Sequence, residues 1–93
     1  MSIKDTASFD QAVEADPAAA EAWLAAIREH RDRFPQYDDR WLDHQERKLF
    51  QAYYQRQDWA GAKRVVAVTK NPKAQEGRRK RLEELSGLAY DQI

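Results

Sequence analysis

The residues able to do acid–base, nucleophilic or metal chemistry are few, and their spacing does not suit them to it. His30 and His44 are the only histidines and stand 14 residues apart, whereas two imidazoles serving one metal from one helix sit about four apart. There is no Cys, which removes disulfide frameworks, thiolate-held zinc, iron–sulfur clusters and thiol nucleophiles together. Ser2, Thr6, Ser8, Thr69 and Ser86 lie outside any glycine elbow that would expose a hydroxyl nucleophile. Gly61, Gly77 and Gly87 are isolated, so no glycine-rich loop exists to cradle a phosphate. The acidic pairs Asp38-Asp39 and Glu83-Glu84 read as helix-start charge and a solvated face. The expectation is a non-enzymatic chain with no catalytic residue, no cofactor and no metal. His30 falls on an apolar stripe and is expected at the core edge, bonded to an acid or carbonyl, while His44 is expected as a solvated surface group.

What chemistry remains is electrostatic. The formal net charge is zero, from 16 basic and 16 acidic side chains, yet residues 1 to 46 carry 5 basic and 11 acidic groups and residues 47 to 93 carry 11 and 5. Such a chain is expected to behave as a charge dipole. The densest basic run is Arg78-Arg79-Lys80-Arg81, backed by Lys70 and Lys73. It would attract phosphates or an acidic partner by Coulomb force. Four consecutive helical positions sweep most of the circumference, however, and no aromatic residue is interleaved for base stacking. A solvated helix, an acidic protein partner and nucleic acid are the three readings of this run. Arg79, Lys80 and Arg81 are the accessible contact residues in the second.

The elements that must position these groups are helices. At 93 residues the chain is expected to form one small domain, 1–93. Its 15 Ala, 10 Arg, 7 Glu and 6 Leu against three Gly and three Pro favour an all-α fold of about five antiparallel helices. Ten aromatic residues are too many anchors for a disordered tail, and no window holds the 18 apolar residues of a membrane span. Without a signal-peptide layout, the cytoplasm is the expected location.

Capping residues and prolines punctuate the chain. A first segment starts at about Ser2 or Ser8 and ends at Ala15, with Phe9, Ala12 and Val13 at helical spacing. Asp16 caps a second segment that opens at Pro17 and runs to Phe34, where Pro35 closes it. Asp38 or Asp39 caps a third segment reaching about Gln57, with apolar residues on two faces. Asp58 caps a fourth through Thr69, and Asn71-Pro72 opens a fifth that ends near Tyr90. The expected core holds Trp23, Ile27, Trp41, Leu49, Tyr53, Trp59, Val66 and Leu82. Gly61 is expected to let the third and fourth segments approach closely. The first half of the fifth segment lacks an apolar face, so either it projects into solvent or Arg78 lies over the core edge with its head paired to an acid. Leu82, Leu85 and Ala89 continue its stripe.

Two stretches resemble the tetratricopeptide repeat, a 34-residue helical hairpin. Phe9 through Ile27 is similar to a junction between repeats: Ala12 and Val13, Asp16-Pro17, then Glu21-Ala22-Trp23. Leu49 to Pro72 is similar to one hairpin, with Leu49, Phe50, Tyr53, Trp59 and Ala62 at the family's spacing and Gln57 where the family prefers Gly. The resemblance implies a helical-hairpin fold, with a small orthogonal bundle as the alternative. It also implies a peptide-binding surface on the first helix of each hairpin, carried here by Leu24, Ala25 and Arg28 and by Arg47, Lys48 and Gln51. The expected function is a protein–protein interaction module or adaptor that binds a protein or peptide partner through a helical groove or charged face. A nucleic-acid-associated accessory protein using the basic half and a homo-oligomer subunit are the alternatives.

Overall fold

The computed structural model describes residues 6–93, and their side chains from residue 11 onward. Five α-helices form: α1 (Thr6–Ala15), α2 (Pro17–Glu29), α3 (Asp39–Gln55), α4 (Trp59–Val68) and α5 (Pro72–Ser86). No strand occurs among the described residues, so the fold is all-α. A helix start at Ser2 and the Phe9 side chain lie outside the described residues.

Three of the helix starts follow from local chemistry. Asp16 accepts a hydrogen bond from the Ala19 amide at 3.2 Å, Asp58 from the Gly61 amide at 3.0 Å, and Asn71 from the amides of Lys73 and Ala74 at 2.9 and 3.2 Å. Each supplies an oxygen to backbone donors that the first helical turn leaves without partners. Pro17 and Pro72 occupy the first position of α2 and α5, where a missing N–H is harmless.

The chain divides into two compact units, one up to Leu49 and one from Phe50 to Ile93. In the first, α1 packs on α2, and Ala12, Val13, Ala20, Leu24, Ile27, Leu42 and Leu49 are buried. In the second, α4 packs on α5, with Tyr53, Ala62, Val65, Val66 and Leu82 buried. Gly61 is buried against Tyr53, and a Cβ built there would stand 2.5 Å from the ring carbon Cδ1. The close approach expected of this glycine is present, and the Tyr53 ring fills the space a side chain would need.

Several expectations are corrected. The second segment does not run to Phe34: α2 stops at Glu29, and Arg31–Arg33 form a short 3-10 turn. The residue before Pro35 is sterically turned away from helix, and the link folds so that Tyr37 stacks on Trp41 with centroids 4.1 Å apart. Arg31 fastens this link by donating to the Tyr37 carbonyl at 3.2 Å and to Asp39 at 2.5 Å. Trp23, Trp41 and Trp59 are only partly buried rather than central. Trp59 is the first residue of α4, directly after its cap, where one side of the indole meets solvent.

The fifth segment ends at Ser86, not Tyr90. Gly87 takes the left-handed conformation at φ 73° and donates its N–H to the Glu83 carbonyl, so this glycine is a helix stop rather than a helical residue. Leu88 and Ala89 lie past this stop, and they and Leu85 are exposed and do not extend the Leu82 stripe. Arg78 is 9% exposed and donates to the Thr69 hydroxyl at 2.8 Å, while Thr69 donates to the Val65 carbonyl at 2.9 Å. The first half of α5 therefore packs through an arginine whose head is met by a hydroxyl.

Candidate partner-binding surface

The amino-terminal part of α3 brings two arginines and a histidine onto one face. Helical positions 40, 44 and 47 fall within about 60° of one another at about 100° per residue. Arg40, His44 and Arg47 are all exposed. None of the three side chains has a hydrogen bond, an ion pair or a ring contact among the described residues. Together with Asp38, Trp41 and Asp43 they line a shallow, open depression.

Trp41 is the aromatic residue that lines it. Trp41 is partly exposed, stacks on Tyr37, and meets the edge of Trp23 at 5.9 Å between centroids. Tyr37 in turn stacks on Phe34 at 6.2 Å. The ring cluster fixes Trp41, because three large flat side chains packed edge and face leave little rotamer freedom. Asp38 is occupied as a cap, accepting from the Trp41 amide at 2.8 Å. Arg40 stands in the first turn of α3, at the positive end of the helix macrodipole, where a cation is unfavourable for the helix itself.

The other basic residues singled out in the sequence are placed differently. The Arg28 guanidinium binds Glu46, which is only 4% exposed, through both Nε and Nη2. That pair ties α2 to α3 in the first unit. Lys48 and Gln51 are half-buried, and Gln51 belongs to the second unit. On α5, Arg79 donates to both oxygens of Glu76 at 3.1 and 2.9 Å, Lys80 lies 3.9 Å from Glu76, and Arg81 lies 3.6 Å from Glu84. The Arg79 bond holds the Glu76 carboxyl below its usual range, and Glu76 raises Arg79 in return. Much of the basic run is thus met by acids on its own helix. His30 is half-buried at the end of α2, and its backbone N–H donates to the Ala26 carbonyl.

Of Arg28, Arg47, Lys48, Gln51, Arg79, Lys80 and Arg81, only Arg47 lies on this face of α3. Arg40, Trp41 and His44 were not singled out in the sequence for this face. The signal was present in the spacing of Arg40, His44 and Arg47 beside Trp41, on a helix read for its apolar faces and for Arg47, Lys48 and Gln51. No group of three or more His, Asp or Glu able to hold a metal occurs among the described residues. No described helix is long and apolar enough to cross a membrane. No protein-family model, curated protein or solved structure matches the chain.

Proposed function

We propose that the chain is a non-enzymatic protein-interaction module that binds an acidic partner chain through the charged face of α3. One observation carries this reading: Arg40, His44 and Arg47 share an exposed face beside Trp41 and have no partner within the described residues. Arg and Trp are the side chains that most often dominate interface energetics, because a large flat anchor and a rigid donor fork combine area with directed hydrogen bonds.

The tetratricopeptide-like reading of the α3–α4 hairpin is part of the same proposal. It is supported by the Tyr53 ring seated on Gly61 and by the buried Ala62. A nucleic-acid role through α5 is less well supported, since Glu76 and Glu84 offset its cations.

The test compares poly-L-glutamate with duplex DNA at matched charge and salt. Binding of poly-L-glutamate that falls with salt and is lost in the Arg40→Glu, Arg47→Glu variant is expected. Tighter binding of DNA that survives this variant and is lost on reversal of Arg79, Lys80 and Arg81 would overturn the proposal.

A further inference from the structure

Resting on that reading, we infer that His44 is a pH-sensitive switch for the α3 face, which binds an acidic partner more tightly when the imidazole is protonated. The depression is lined by Asp38, Arg40, Trp41, Asp43, His44 and Arg47, all from α3 and the residue before it. Its two carboxylates offset its two guanidiniums, and near neutrality both kinds of group keep their charge. Histidine is the side chain whose ordinary charge change falls between about pH 5 and pH 8. His44 therefore sets the sign. With a neutral imidazole the lining carries no net charge, and with a protonated one it carries a single positive charge.

The position of His44 suits it to this role. It stands four residues after Arg40 and three before Arg47, spacings that make it a neighbour of both on the helix surface. It is exposed and has no hydrogen bond, ion pair or ring contact among the described residues, so its titration breaks no bond of the fold. Both acids of the lining are engaged within the chain, Asp38 by the Trp41 amide. Beside the depression, Asp39 is paired with Arg31, and Lys48, one turn beyond His44, is engaged within the chain. A carboxylate brought against an imidazole favours its protonated form. By reciprocity, binding an acidic partner takes up protons near neutrality, and affinity rises as pH falls.

The full chain is titrated with poly-L-glutamate by calorimetry at low salt, at about pH 8 and about pH 6, either side of an ordinary imidazole. Two buffers of unlike ionisation enthalpy at each pH give the protons taken up on binding. The parent is expected to bind about threefold more tightly at the lower pH, as for one added exposed ion pair, and to take up protons as it does so. His44→Gln is expected to bind alike at both pH values with no proton uptake, and His44→Lys to bind at the higher pH as tightly as the parent does at the lower. Neither change removes a bond of the fold. Equal affinity of the parent at both pH values, or a pH dependence that persists in His44→Gln, would overturn the switch and leave the acidic-partner face standing. Absence of poly-L-glutamate binding at both pH values would overturn the face itself and the switch with it.

Discussion

Gly61 and Gln45 show how a single side chain is constrained by what surrounds it. Gly61→Ala would drive a methyl group to 2.5 Å from Tyr53 Cδ1 and 2.8 Å from Cγ, the base of a buried ring that has little room to turn away. A loss of about 1–3 kcal/mol is expected in chemical denaturation, and a neutral result would show that the hairpin relaxes freely. Gln45 presents the opposite case. It is fully buried, and neither its Nε2 nor its Oε1 has a hydrogen-bond partner. Gln45→Met keeps the shape and removes the orphaned amide, so a gain of about 1–2 kcal/mol is expected. A loss on the same denaturation assay would show that the amide is bonded in solution. The role of Gly61 was legible in the sequence, because a lone glycine three residues after a cap has few other uses. The orphaned state of Gln45 was not: its place on the apolar face of α3 could be read, but hydrogen-bond partners depend on packing.

At the scale of elements, the helix starts were legible and two of the ends were not. Asp16-Pro17, Asp58 and Asn71-Pro72 set their helices by bonds within three residues, so local sequence suffices. The end of α2 leads into a link in which Tyr37 stacks on Trp41, and α5 ends at the left-handed Gly87; helical periodicity reveals neither. The α3–α4 turn carries a further consequence. Gln57 sits at φ 59°, while the amides of Gln57 and Asp58 donate to the carbonyls of Tyr54 and Tyr53 at 3.0 and 2.9 Å. That is a Schellman end with a non-glycine residue in the left-handed position, where a Cβ is strained. Gln57→Gly should raise the unfolding midpoint by the equivalent of about 1 kcal/mol, and a lowered midpoint would contradict this account of the turn.

The Glu76–Arg79 pair on α5 gives a pH-dependent counterpart. Because Arg79 lowers the folded pKa of Glu76, the stabilisation is present above the ordinary carboxylate value and is lost as pH falls through the lower folded one. Parent stability should therefore fall more steeply than that of Glu76→Gln from roughly pH 5 to pH 2. The difference should be small and salt-sensitive, as both groups are exposed. Parallel acid profiles would remove the pair from the stability of α5.

Across the whole molecule, the division of charge remains the broadest sequence feature: 11 of 16 acids lie before Arg47 and 11 of 16 bases from Arg47 onward. Total charge did not locate the candidate surface, because most of the basic run on α5 is ion-paired with acids of its own helix, while Arg40 and Arg47 on α3 have no ion pair among the described residues. Arg40 lies within the acidic half, so the sum over that half concealed it. The most direct measurement is therefore amide chemical-shift mapping of the full chain as poly-L-glutamate is added at low salt. Shifts concentrated between Asp38 and Lys48, with the Trp41 indole N–H among the largest, are the predicted result. Shifts centred on Lys73 to Glu84, with α3 unmoved, would contradict the account.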